Sequence, residues 1–392
     1  MMKTNLTYQK RKSFPHYVHS HKIKTPITPY KTPFYYAAID LGTTSCRLLV
    51  VKDTGDALKI IERYSSSVLL GEGLSKTGLL DECAINRTIR TLRLFVKKIH
   101  NWPVSNISAI ATEVCRQAAN AQEFLRRVFE ETGLRIDVIS DREEAELALE
   151  SCGSLLSSPR YYNQHMHHSL YARKPCPNRA LIFDIGGGST EISWVRTDHT
   201  SRKYFLSGMT SLKHGIVSLT ELFDQLTLKE AYNAAVRYIT SKLESFESIY
   251  CIKREVAQQN VHMIGISGTI TTLAGIALNL KRYDRYQIDG TILSCNALAQ
   301  SIHKIKSMSQ TALELHPCIG RSRASLVLAG CAIYEAIQDM WPTDMITVAD
   351  RGLRDGLVIR MARDHQFRLR REDSNKHYFN EQPRSGALAL SI

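Results

Sequence analysis

Two short stretches of this chain share one grammar. Residues 180–194 read Ala-Leu-Ile-Phe-Asp-Ile-Gly-Gly-Gly-Ser-Thr-Glu-Ile-Ser-Trp, an apolar run, a glycine turn and a second strand-like run. Residues 37–51 repeat the order, with Asp40 for Asp184, Gly42 for Gly186, and Thr43, Thr44 and Ser45 where the later stretch has Gly187, Gly188 and Ser189. Glycine carries no Cβ, so such a turn brings bare N–H groups close to an anion. Asp184, at the strand end, is placed to hold a divalent cation beside that anion. One such turn is an ordinary hairpin. Two, about 144 positions apart, imply two related halves facing each other across a cleft. Residues 263–272 add a third strand running into a turn, with Ser267, Gly268 and Thr269 at its tip.

The 392 residues suffice for two domains. No apolar run is long enough to span a bilayer, and the Lys/His-rich start lacks the apolar segment of a secretory signal. Nine cysteines without a CxxC pair imply reduced thiols and a cytoplasmic setting. The net charge is +13, and residues 1–34 hold seven of the Lys and Arg with no Asp or Glu. Removing them leaves +6, 13 less 7, on a body modestly basic enough to meet a polyanion. The domain expectation is a basic, disordered arm at 1–34, halves at 35–150 and 151–360, and a loose tail at 361–392. The arm is read as solvated, with no specific nucleic-acid or membrane partner.

Periodicity places a helix over 81–100, with Ile85, Ile89, Leu92, Phe95 and Ile99 on one face. A strand over 107–112 leads to Arg116, where a guanidinium can face a phosphate or form a surface ion pair. Ser140 and Glu143 form a capping box, so a helix starts there and Glu143 pairs back to the Ser140 backbone. Glu144 points elsewhere, about 100° around the helix. It is either a general base for water or a favourable charge at a helix N-terminus. Residues 155–179 read as a polar loop, and His165, His167 and His168 lack the partners of a metal site. One helix is expected over 321–340.

Six ordered motifs resemble the exopolyphosphatase / guanosine pentaphosphate phosphohydrolase family. They are the turns at 38–49, 183–191 and 265–274, Ala111-Thr-Glu-x-x-Arg-Gln-Ala, Ile139-Ser-x-x-Glu-Glu-Ala-Glu-Leu and Asp350-Arg-Gly-Leu-Arg-Asp-Gly-Leu. The resemblance spans about residues 35–360. It implies an α/β fold of two actin-like (ribonuclease H-like) domains, each a mixed sheet flanked by helices, with an interdomain cleft. It implies Glu144 as the base for the attacking water. Asp184 and Glu191, with Asp40 as counterpart, are implied to hold Mg²⁺ or another divalent cation. Arg47 and Arg116 are implied to face the phosphate chain. Backbone at Gly42–Ser45, Gly186–Ser189 and Ser267–Thr269 would clamp phosphate oxygens.

The expected reaction is release of terminal orthophosphate from polyphosphate. Conversion of guanosine pentaphosphate to the tetraphosphate is the alternative with the same chemistry. A non-hydrolysing nucleotide-binding regulator is the alternative of another class, and a sugar kinase the fourth reading. Asp141 stands where the family usually has glycine, and Ser325 where aspartate is common. Longer members carry a further helical region associated with gripping long polyphosphate and with dimerisation. A homodimer is the candidate assembly.

Overall fold

The computed structural model describes residues 32–156 and 176–380, with side chains to residue 369. Most of the basic arm, the histidines at 165, 167 and 168, and residues 381–392 lie outside the described residues. The first half runs β1 (Phe34–Leu41), β2 (Ser45–Asp53), β3 (Leu58–Ser67), α1 (Leu74–Thr77), α2 (Glu82–Ile99), β4 (Asn106–Ala111), α3 (Glu113–Gln117), α4 (Ala121–Thr132) and β5 (Asp137–Val138). The helix α5 (Asp141–Leu156) follows. The second half runs β6 (Arg179–Ile185), β7 (Thr190–Asp198), β8 (Lys203–Leu212), α6 (Ile216–Leu222), α7 (Leu228–Tyr250), α8 (Ile252–Ala257), β9 (Val261–Ile266), α9 (Gly268–Ala277), α10 (Arg285–Ile288), β10 (Ile292–Ser294), α11 (Cys295–Ser307), α12 (Gln310–Leu315), α13 (Arg321–Ala324), α14 (Val327–Met340) and β11 (Met345–Ala349). The last helix is α15 (Leu353–Asn380).

The two sheets have one topology. The first is ordered β3-β2-β1-β4-β5, the second β8-β7-β6-β9-β11 with β10 added at the edge. In each, the first two strands pair antiparallel and the first strand then pairs parallel to the fourth. Even the irregularities correspond. The register shifts at Val50/Val51 in β2 and at Trp194/Val195 in β7, at nearly the same distance from each turn. The sequence repeat is therefore a structural one.

Strand parity decides what faces what, because side chains alternate between the two faces of a sheet. On β1 and β2, Ala37, Ile39, Leu41, Leu48 and Val50 pack outward against α2 and α4. On β6 and β7, Leu181, Phe183, Ile192 and Trp194 pack outward in the second half's own core. The other parity, Tyr36, Ala38, Leu49, Val51, Ala180, Ile182 and Val195, faces a third core between the sheets. The helices α5 and α15 fill that space with Leu147, Cys152, Leu155, Leu353, Leu357 and Val358. The halves are thus joined by a continuous apolar layer, and its open end is the cleft.

Three expectations need correction. Residues 361–380 are not a loose tail: α15 continues through them, and Met361 and Ala362 are buried between the sheets. The helix expected over 321–340 is two helices, α13 and α14, parted at Ser325 and Leu326. The segment after residue 150 does not begin the second half, since α5 runs to Leu156 inside the shared core.

The crossing of α5 and α15 depends on Gly356. A Cβ there would stand 2.2 Å from the Leu147 carbonyl oxygen. Alanine ordinarily gains about 1 kcal/mol over glycine inside a helix. Here the sign reverses: Gly356→Ala is expected to cost about 1–3 kcal/mol by overpacking, read as a lower urea midpoint.

Candidate active site

The same parity that fills the inter-sheet core puts charge at its open end. Asp40 continues the inward series of Tyr36 and Ala38, and Asp184 that of Ala180 and Ile182. Across the ladders Asp40 pairs with Arg47, and Asp184 with Glu191. Residues opposite each other on paired strands share a face. Four charged side chains therefore point into one space, and Arg47 and Glu191 hold equivalent places in the two halves.

A cavity of about 360 Å³ opens there. It is lined by Asp40, Gly42, Thr43, Thr44, Ser45 and Arg47 of the first hairpin, and by Asp184 and Gly186–Ser189 of the second. Ser267, Gly268 and Thr269 of the third turn and Glu144 of α5 complete it. All the residues expected at the site thus converge on this cavity except Arg116 and Glu191, which do not line it. Glu191 is buried and accepts from Ser211 Oγ at 3.0 Å. Arg116 is held among carboxylates: Nε donates to Glu113 Oε2 at 2.8 Å, and Nη2 lies 2.7 Å from Asp141 and 3.0 Å from Glu144. Asp141 is thereby matched by a cation. Glu143 also differs from expectation. Its N–H donates to Ser140 Oγ as the capping box requires, while its carboxylate takes Arg360 at 3.1 Å.

The glycines of the second turn adopt no positive φ. Their smallness serves contact between the halves. A Cβ on Gly187 would meet Thr43 Cβ at 2.8 Å and Thr44 Cγ2 at 2.9 Å, and one on Gly188 would meet Thr43 Oγ1 at 2.7 Å. The start of α6 holds this turn from behind, with the Ile216 N–H on the Gly186 carbonyl at 3.0 Å and the Val217 N–H on that of Gly187 at 2.8 Å. The N–H groups of Thr43, Thr44, Gly187 and Gly188 donate to no acceptor among the described residues. Neither do those of Gly268 and Thr269, at the N-terminus of α9. Ser267 before them has φ of +127°, a conformation that costs a non-glycine residue energy and clusters at functional sites.

Sequence reasoning missed two arginines. Arg323 of α13 lines the cavity, its guanidinium 3.0 Å from where a Gly268 Cβ would be. It forms no ion pair among the described residues, and burial, then Arg47, pulls its pKa down. Arg354 of α15 is buried near Asp40, and burial pulls its pKa down to about 9. Arg354 lies inside the motif that starts at Asp350, and Arg323 stands two residues before Ser325. A signal was present at both places without a role attached to the arginine.

The carboxylates are pushed the other way. Burial raises Asp40, with Arg47 opposing. Burial lifts Asp184 to about 6, against Arg47. Burial and then Asp184 lift Glu191 to about 8. Burial and then Glu191 hold Glu144 well above the usual carboxylate range, with Arg116 opposing. Asp184 and Glu191 have no basic side chain within ion-pair distance among the described residues. Two adjacent carboxylates without a cation, Glu191 buried and Asp184 partly buried, fit a divalent metal. No three His, Cys, Asp or Glu among the described residues converge as a cage.

Two halves of one topology, with anion cradles between them, define an actin-like α/β fold. Residues 49–160 and 170–365 match the Ppx/GppA phosphatase family, and the chain belongs to it. It is 28% identical over 336 residues to a putative exopolyphosphatase of Haemophilus influenzae, covering 84% of this chain and 92% of that one. The crystal structure of the Aquifex aeolicus member of the Ppx/GppA family superposes with a TM-score of 0.64 at 27% identity, covering 85% of this chain and 99% of that chain. An exopolyphosphatase-like protein shares the fold with a TM-score of 0.73 at 24% identity, covering 86% of this chain and all of that one (100%).

The raised carboxylates make stability depend on pH. A carboxyl with a raised folded pKa keeps a proton that the unfolded chain releases, so stability falls as pH rises between the two values. For Glu191 that window runs from 4.5 to about 8. The metal-free protein is expected to melt at progressively lower temperature across it, and Glu191→Gln to flatten the slope. A flat profile in the unsubstituted protein would refute the buried-carboxylate account.

Proposed function

We propose that this chain is a Mg²⁺-dependent exopolyphosphatase, releasing terminal orthophosphate from polyphosphate by in-line attack of water. The observation that carries the reading is one cavity, lined by Asp184 with Glu191 opposite it across the ladder, that gathers two kinds of unmet charge. Unpaired N–H groups at three turns, with Arg323 and the loosely paired Arg47, suit an anion. Asp184 and Glu191 await a cation. Phosphoanhydride hydrolysis needs both, since it depends on positioning and charge neutralisation more than on covalent help.

The residues divide the work by chemistry. The N–H groups at Thr43, Thr44, Gly187, Gly188, Gly268 and Thr269 bind non-bridging oxygens, and being fixed they cost no reorganisation during reaction. Arg47 and Arg323 neutralise the chain behind the reacting phosphate. Glu144 orients water and takes its proton, and Arg116 holds that carboxylate in place and counters its raised proton affinity. Asp184 and Glu191 would hold Mg²⁺, which when bound would supply positive charge to the phosphate oxygens.

Three measurements test this. Phosphate release with Mg²⁺ is compared on long-chain polyphosphate, guanosine pentaphosphate and ATP. Polyphosphate is expected to be the substrate, and Glu144→Gln to lower kcat by about 10²–10⁴ with KM nearly unchanged. Release from guanosine pentaphosphate alone would reassign the substrate, and no release from any would refute hydrolysis. Added salt is expected to depress activity on long chains more than on short ones, because a long polyanion meets more of the basic surface. Mg²⁺ is expected to raise the melting temperature more at about pH 8 than at about pH 5, where the carboxylates hold protons.

A further inference from the structure

The Asp141 carboxylate belongs to a chain of ion pairs that crosses the cleft. Lys213 lies just beyond the end of β8, in the second half, two residues before Gly215. Gly215 packs against the Gly186–Gly187 backbone, so Lys213 is tied to the second phosphate turn. Its ammonium reaches into the first half, 3.0 Å from Glu113 Oε2 and 3.1 Å from Asp141 Oδ2. The Glu113 carboxylate is fully buried at 1% exposure, and its other oxygen accepts from Gln117 Nε2 at 2.6 Å. Glu113 and Asp141 are also two of the three carboxylates that hold Arg116. Arg116 donates in turn to the Ile139 carbonyl at 2.7 Å and to Glu144 Oε2 at 3.0 Å.

The charge count in this network is two cations against three carboxylates. Without Lys213, Arg116 alone would answer Glu113, Asp141 and Glu144. Glu113 is buried and cannot be answered by water, so it competes strongly for the guanidinium. The contact that suffers is the one to Glu144. Lys213 relieves that competition from the other side of the cleft.

Resting on the hydrolytic reading above, we propose that Lys213 is a positioning residue that acts through Glu113, Asp141 and Arg116 to hold Glu144 in line. Another ion pair and a hydrogen bond also join the halves at this rim. Lys76 pairs with Asp224 at 2.5 Å, and Glu221 accepts from the Gly73 N–H at 2.9 Å. They do not touch Arg116 and so provide the control.

The test compares Lys213→Met, Lys213→Arg and Lys76→Met on polyphosphate with Mg²⁺. Lys213→Met is expected to lower kcat about tenfold with KM changed less than about twofold. Lys213→Arg restores most of the rate, and Lys76→Met stays within about twofold of the unsubstituted protein. Equal losses in Lys213→Met and Lys76→Met would overturn the proposal, because both would then act as rim clamps. A rate for Lys213→Met within twofold of the unsubstituted protein would overturn it too. A second measurement needs no activity and survives failure of the substrate reading. In a double-variant cycle of Lys213→Met with Glu144→Gln, the changes in unfolding midpoint should not add, because the two residues share Arg116. Strict additivity would overturn the relay whatever the enzyme hydrolyses.

Discussion

Charge buried between two sheets is the condition to which the rest of this molecule answers. Strand alternation sends every second residue of β1, β2, β6 and β7 into the space between the halves. Over most of its length that space is filled by apolar side chains of α5 and α15. At the turns the same parity delivers Asp40, Arg47, Asp184 and Glu191 instead. Four charges in a low-dielectric cleft are costly unless matched. The fold matches Asp40 loosely, with Arg47 at 3.9 Å, and leaves Asp184 and Glu191 without a basic partner among the described residues. On the proposed reading, such unrelieved charge is what a substrate or metal would relieve on binding, at a cost in stability.

The repeat explains why the cleft exists, and its imperfections explain what the cleft can do. Equivalent strands, turns and bulges make the two hairpins meet face to face. They meet closely because Gly187 and Gly188 have no side chain to keep Thr43 and Thr44 away. Had the first turn also been three glycines, the backbones would lack the threonine side chains that now wall the contact. Had both been threonine-rich, the halves could not close. One small turn against one larger turn satisfies both demands.

Much of this is legible in the chain for a physical reason. Local grammar determines hairpins, so the turns, their parity and the two halves follow from short-range pattern. Asp40, Asp184 and Glu144 are visible because each sits at the end of an element whose start or stop has a signal. The arginines are harder. Arg323 and Arg354 approach the cavity from α13 and α15, and their closeness to Gly268 and Asp40 is set by packing between distant segments. Arg116 is expected to face substrate, but its surroundings depend on Asp141 and on Lys213, a hundred positions from Glu113 in sequence. The tail misleads because α15 carries its apolar residues in its first turns and is strongly polar in sequence later. Composition hides a helix whose first turns are gripped by the core.

The one sign change within the repeat gives the cleft a direction. Arg47 and Glu191 stand at the same place in the two halves, opposite Asp40 and Asp184. The first half therefore presents a cation beside its carboxylate, and the second presents two carboxylates. Arg323 and Arg354 extend the positive side: burial first, and Arg47 after it, depresses the proton affinity of both. Glu144 extends the negative side, its own proton affinity raised by burial and then by Glu191. On the hydrolytic reading proposed above, an extended polyanion would lower its energy along the arginines and raise it toward the carboxylates. A phosphate resting against Asp184 would then need a cation beside it, with Glu144 in that same field. A symmetric repeat would bind charge without ranking one end of the ligand over the other; a single exchange of arginine for glutamate supplies the ranking.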